Sequence, residues 1–267
     1  MKKSKKVKVY CGFPTIGSIY DFQTYCLREI EKKYKDSVEL VYPRNCATRF
    51  GHDFARNAIV EEFLSSDCDI LWMLDSDIAP QTHVLDLITL HGDKWQVAGA
   101  PYPVLMSQKG FVSRQITFCV YKGSNGKGLS PTTVPDEGTE FVDGLATGCL
   151  FIKREVFSKL SKPYFEFKHN PETREAVEGE DLGFCMKLRA LGISFFVDYS
   201  MACKHMKNVC LLEMNNYALE FAKNTLANYD RQVKIQVEDA VRTAYRAGLE
   251  TGSSLVQKKK DSGLISL

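Results

Sequence analysis

The sequence predicts an α/β protein on a Rossmann-like, doubly wound mixed sheet, and three observations carry that expectation. From Val7 to about Ala100, short apolar runs alternate with stretches of helical periodicity, the pattern of successive β-α-β units. One run, Ile70 to Leu74, is apolar at every position and ends in Asp75-Ser76-Asp77 before Pro80. It reads as a strand buried on both faces, with turn chemistry behind it. After Pro103 the texture changes, and Arg114 to Tyr121 has the alternation of an antiparallel strand.

Taken in order, Val7 to Thr15 is a first strand that ends in a turn at Pro14. Ile19, Phe22, Cys26 and Ile30 recur at helical spacing and predict a helix to about Lys35. Val38 to Tyr42 is the second strand, closed by Pro43. A polar link from Arg44 to Gly51 leads to Asp53, the expected N-cap of a helix carrying Asn57, Ile59, Val60, Phe63 and Leu64. The strand ending at Asp75 follows, then a helix over 81–91 that buries Val84, Leu87 and Ile88, then a strand over 96–100. Residues 122–139, rich in Gly, Ser and Pro, lack periodicity and read as a mobile loop or a substrate lid. Phe141 to Ile152 is a pair of strand segments interrupted by Gly144 and Gly148, with a short helix after Lys153. Glu180-Asp181 open a helix that closes at Gly192, and Ile193 to Val197 is the next strand, with His205 on the loop beyond it. From Asn215 the chain reads as two helices and a frayed tail after Thr251.

Composition narrows the class. Of 267 residues, 44% are hydrophobic and 25% charged, the values of an ordinary globular protein, and a net charge of +2 makes no global case for nucleic acid or membrane partners. No apolar run approaches the ~18 residues of a membrane span. The basic start, Met1 to Lys6, lacks a signal-peptide cleavage site, so a cytoplasmic protein is expected. Nine scattered cysteines, none in a Cys-x-x-Cys pair, point to reduced buried thiols.

The chemistry gathers at strand ends. In open α/β sheets ligands bind beyond the carboxyl ends of the strands, where Asp75 and Asp77 fall. Such a pair is either two solvated turn aspartates or a seat for a hard cation shared with a phosphate, and the buried strand before it favours the second. Glu180 and Asp181 are either dipole complements at a helix start or functional acids. His205, a lone histidine, is a ligand or a structural residue.

The combination resembles the glycosyltransferases of GT-A fold, most closely glycosyltransferase family 2. It rests on Ala55-Arg56-Asn57, Met73-Leu74-Asp75-Ser76-Asp77, Val142-Asp143-Gly144 with Thr147-Gly148, Gly179-Glu180-Asp181-Leu182, Leu188 to Gly192, and His205. Each piece is weak alone. Their order over about 200 residues, from Val7 to His205, is what makes the resemblance specific.

The resemblance implies a nucleotide-diphosphate sugar donor, UDP-sugar favoured, and Mn²⁺ or Mg²⁺. Asp77 would ligate the metal, Asp75 would contact the ribose or a metal-bound water, and His205 would complete the metal shell. Asp181 would deprotonate the acceptor hydroxyl with inversion, the helix dipole holding it ionised, with Glu180 as its neighbour or substitute. Pro14, Thr15, Arg56, Ser76 and Gly148 would line the nucleotide pocket. Family members carry acids after the second strand, whereas this chain has Tyr42-Pro43-Arg44, so Tyr42 or Arg44 would stack on the base. The implied layout is a nucleotide-binding half over 1–105, an acceptor half over 106–207, and a helical extension over 208–267. The acceptor would be a glycan or a hydroxylated DNA base. A non-catalytic nucleotide-sugar-binding module and a sugar nucleotidyltransferase are the alternatives on the same sheet.

Overall fold

The structure, a computed structural model, describes residues 5–14, 21–43, 51–107, 114–123, 128–132, 134–173 and 176–206, together with Lys223, Arg231, Gln232, Lys234, Ile235 and Asp239. The chain divides into two compact units, 1–207 and 208–267. In the second unit the six described residues are helical, and the helices expected from Asn215 onward otherwise lie outside the described residues.

Strand β1 (Val7–Gly12) is followed by helix α1 (Asp21–Tyr34) and β2 (Val38–Val41). Helix α1 turns Gln23, Leu27, Ile30 and Tyr34 inward, one position away from the expected stripe of Phe22 and Cys26, which are only half-buried. Helix α2 (His52–Ser65) starts at Gly51, whose φ of 91° admits the chain to the helix at an angle open mainly to glycine. The N-cap expected at Asp53 is displaced: Asp53 lies inside the first turn, where its charge complements the helix dipole.

Strand β3 (Ile70–Leu74) is buried at every position, as its sequence requires. Then come β4 (Ile78–Ala79), α3 (Asp86–Thr89) and β5 (Val97–Gly99). The helix expected over 81–91 is reduced to the single turn of α3, although Val84, Leu87 and Ile88 are buried as expected.

Strands β6 (Pro103–Ser107) and β7 (Arg114–Phe118) form an antiparallel ribbon. Strand β8 (Val120–Gly123) pairs with β9 (Leu129–Pro131), so the segment read as a loop over 122–139 contains a strand. Next are β10 (Thr139–Val142), β11 (Gly144–Leu145), β12 (Cys149–Lys153) and α4 (Arg154–Phe157). A hairpin of β13 (Lys168–His169) and β14 (Ala176–Glu178) precedes α5 (Glu180–Ala190), β15 (Phe195–Asp198), a 3-10 turn over Tyr199–Met201, and β16 (Lys204–His205).

Seven strands make the main sheet, in the order β10-β15-β5-β12-β3-β1-β2. Strands β2, β1 and β3 run parallel, as do β15 and β5, while β12 runs antiparallel between β3 and β5. The fold is therefore α/β with a mixed sheet. Alternation along β3 sends Ile70, Trp72 and Leu74 to a core shared with α1 and α3, and Leu71 and Met73 to a core shared with α2, α4 and α5. Each such side chain contributes about 1.5–3 kcal/mol by leaving water. Helix α5 ends as expected at Gly192 (φ 71°): Gly192 N–H donates to Arg189 O and Ile193 N–H to Leu188 O, the paired bonds of a Schellman cap. All seven described cysteines are free thiols, and six are buried.

Candidate active site

At the carboxyl end of β3 the chain turns through Asp75-Ser76-Asp77. Asp75 N–H donates to Gly148 O (2.9 Å) and Ile78 N–H to Asp75 O (3.1 Å), which closes the turn and ties it to the approach to β12. Strand β4 then pairs antiparallel with β16, His205 opposite Ile78, and Met206 N–H donates to Asp77 O at 2.8 Å. That short ladder brings His205 Nε2 to 3.2 Å from Asp77 Oδ2.

The other ring nitrogen, His205 Nδ1, lies 2.7 Å from Pro103 O. A carbonyl only accepts, so Nδ1 carries a proton and donates it, leaving Nε2 to face the carboxylate. Two electron-rich atoms at this separation call for a shared positive charge, either a second proton on the ring or a cation. The side chains are 10% and 24% exposed, so solvent screens them little. Adjacent octahedral ligands at bonds of ~2.0–2.1 Å stand about 3.0 Å apart, so the spacing fits a hard cation. Among the described residues no group of three or more His, Cys, Asp or Glu side chains gathers into a ligand set.

Asp75, expected near the cation, is turned elsewhere. Its Oδ1 and Oδ2 accept from Arg56 Nη1 (2.9 Å) and Nη2 (3.2 Å), a bidentate pair. Arg56 Nε reaches Glu180 Oε1 at 3.3 Å. Arg56 is only 4% exposed, so it is no lining of an open nucleotide pocket. Burial opposes its charge, but Asp75 and Glu180 more than offset that and hold the guanidinium charged. The adjacent Asn57 clamps the other side: its Oδ1 accepts from Tyr164 N–H (2.9 Å) and Phe165 N–H (3.2 Å), and its Nδ2 donates to Phe165 O (2.7 Å). Phe165 in turn stacks on Phe184 of α5, with ring centroids 4.4 Å apart.

Glu180 is thus engaged through Oε1 by Arg56, whereas its neighbour Asp181 is placed differently. Its Oδ1 accepts from Leu182 N–H at 2.7 Å. Burial first, then the Glu180 carboxylate, pushes the Asp181 carboxyl above the ordinary aspartate value; Asp75 adds to the rise, while the Leu182 bond and Arg56 oppose it. The helix dipole was expected to keep Asp181 readily ionised; instead burial and the Glu180 carboxylate outweigh the one backbone donor, Leu182 N–H.

Gly148 was expected to approach a nucleotide. It approaches a ring instead: its N–H donates to Tyr102 Oη (3.1 Å), and a Cβ there would stand 2.6 Å from that oxygen. Tyr102 packs edge-on against His205, with ring centroids 5.3 Å apart. Neither Tyr102 nor the Pro103 carbonyl was singled out from sequence, since a Pro-flanked tyrosine carries no spacing signal. Ser76 lies half-buried within the turn, and Pro14 is buried at the end of β1. Tyr42 stacks on Phe13 (6.2 Å, 10° between planes) and borders a cavity of about 330 Å³ with Thr24, Leu27, Arg28, Glu31 and Pro43. Thr15 and Arg44 lie outside the described residues.

No protein-family model matches the chain, and no curated protein matches it. Among solved structures, A197 from STIV is 18% identical, the match covering 76% of this chain and 86% of that one at a TM-score of 0.47. GalNAc-T7, solved with UDP, GalNAc and Mn²⁺, is 12% identical over 76% of this chain and 44% of that one, at a TM-score of 0.43. The catalytic domain of Drosophila β1,4-galactosyltransferase 7, in complex with xylobiose, is 14% identical over 76% and 71%, at a TM-score of 0.37.

Proposed function

We propose that this chain is a metal-dependent glycosyltransferase that moves a sugar from a nucleotide-diphosphate donor, UDP-sugar favoured, to an acceptor hydroxyl with inversion. The observation that carries the reading is the Asp77–His205 contact, with the histidine held through Nδ1 by the Pro103 carbonyl so that Nε2 and a carboxylate oxygen stand 3.2 Å apart. Asp77 Oδ2 and His205 Nε2 would hold Mn²⁺ or Mg²⁺, the other ligands coming from diphosphate oxygens and water. Bound there, the ion would supply Lewis-acid stabilisation of the charge that develops on the leaving diphosphate.

The remaining work falls to the chain. Asp181, with Oδ1 on Leu182, has Oδ2 to receive the acceptor proton, and its raised pKa suits a general base better than an ordinary aspartate would. Arg56 offsets part of the negative charge of Asp75 and Glu180, which lessens the repulsion an anionic donor would meet there. Tyr42, backed by Phe13, offers a face for the base beside the cavity.

The test is thermal melting with UDP- and GDP-sugars, each with and without Mn²⁺. One donor at a hundredfold excess over Kd should stabilise by about 2.7 kcal/mol, roughly 5–10 °C for a domain of this size, and only with the metal present. A shift of equal size in EDTA would remove the metal from the reading. No shift with any donor would remove the donor.

A further inference from the structure

Helix α1 presents Gln23, Leu27, Ile30 and Tyr34 inward, so an amide occupies a place whose three companions are core side chains. Gln23 is fully buried, and its Nε2 donates to Asp75 O at 2.7 Å and to Ile78 O at 3.0 Å. Both amide hydrogens are thereby used. With carbonyls as both partners, only the nitrogen fits that end of the side chain, which fixes the amide's orientation. The two carbonyls bracket Asp75-Ser76-Asp77-Ile78, so one side chain grips the acidic turn at each end.

We propose that Gln23 is the positioning residue of this turn, setting the bearing of the Asp77 carboxylate toward His205. The proposal rests on the reading of Asp77 and His205 as the seat of a cation. The turn is held by the backbone from two sides: Asp75 N–H on Gly148 O, and Met206 N–H on Asp77 O. Gln23 adds the grip from the α1 side, the only side-chain donor to the Asp75 and Ile78 carbonyls among the described residues. A methionine there fills the same space and donates nothing, leaving two buried carbonyls to find partners by shifting the turn.

Two readouts on Gln23→Met test this, hydrogen exchange and Mn²⁺ affinity measured with UDP present. If the variant does not fold, Gln23→Asn replaces it, keeping an amide in the core but withdrawing it from the turn by one methylene. Exchange of the Ile78 and Met206 amides should quicken about tenfold, the scale of one or two lost hydrogen bonds, while amides of β12 keep their wild-type protection. The apparent Kd for Mn²⁺ should rise by a similar factor. If the Ile78 and Met206 amides exchange in the variant as they do in wild type, Gln23 is an ordinary core amide and the proposal fails. If the turn loosens but Mn²⁺ binds as in wild type, Gln23 does not set the site and the proposal also fails. Should wild type bind no Mn²⁺ at all, the cation reading falls by itself, and the exchange data still decide whether Gln23 sets the turn.

Discussion

Arg56 and Glu180, 124 residues apart in the chain, meet at 3.3 Å through Nε and Oε1, while the two terminal nitrogens of the same guanidinium grip Asp75. One planar cation thus joins the end of β3 to the first turn of α5. Lysine could not replace it, because a single ammonium lacks the fork that serves two acids at fixed angles. Arg56→Met should destabilise the protein by about 3–5 kcal/mol, since it strands two carboxylates against a buried surface. Arg56→Lys should recover part of that loss. Urea unfolding measures both, and a loss below about 1 kcal/mol for Arg56→Met would mean that the acids find water instead.

Asp77→Asn and His205→Ala should each weaken Mn²⁺ binding by about 10–100-fold or more, a change of the size that altered ligand shells produce. Both variants should melt within a few degrees of wild type, because neither side chain carries the core. Free-Mn²⁺ electron paramagnetic resonance gives the affinity directly. Wild-type affinity in both variants would show that the pair is an ordinary buried ion pair.

For Asp181→Asn the prediction has two parts with opposite signs. Turnover should fall ~10²-fold or more while donor affinity stays, the pattern of a lost general base. Stability at neutral pH should rise by roughly 0.5–2 kcal/mol, as often happens when an active-site acid is neutralised. The sign follows from linkage. A carboxyl whose folded pKa is raised favours folding only when protonated, so that contribution is present below the unfolded value near 4 and lost as pH rises through the folded value. The stability gap between variant and wild type should therefore widen from acid to neutral pH. The acidic limb of kcat/KM in wild type should lie above the ordinary aspartate range. A gap that does not change with pH would contradict the buried-carboxyl account.

Gly148→Ala should damage the site from behind. The new Cβ would stand 2.6–2.9 Å from Tyr102 Oη, Cζ and Cε1, so the ring must move, and it packs against His205. Overpacking of this kind typically destabilises by about 1–3 kcal/mol. The His205 ring protons should shift in NMR spectra. Unchanged His205 resonances would show that the ring relaxes away from the histidine.

The parallel half of the sheet was legible because its signal is local: Ile70 to Leu74 has nowhere to go but a buried strand. The α1 stripe was misread by one position because Gln23 is polar, and an amide in a core position looks like a surface residue until its two carbonyl partners are seen. Motif order singled out Asp77 and His205, which the fold brings to 3.2 Å of each other. The pairing of Asp75 with Arg56, in place of the expected contact with a ribose or a metal-bound water, was not legible, because only the fold brings Arg56 to Asp75. For Asp181, the dipole could be read from sequence and the burial could not. Strand β9 was hidden in a Gly- and Ser-rich segment whose pairing with β8 depends on register rather than propensity.

The two-residue ladder between β4 and β16 also fixes when the site exists. Asp77 and His205 are 128 residues apart, and closing so long a loop must come before the contact gives anything back. Local pairs such as α1 and β2 need only a short stretch of chain, whereas this pair waits for the strands between. In pulse-labelled exchange during refolding, the Met206 amide should gain protection after the amides of β3. A chain leaving the ribosome presents both aspartates long before the histidine arrives. A cation bound by both residues, as proposed above, would therefore act late in folding, and would slow the unfolding of a molecule already assembled.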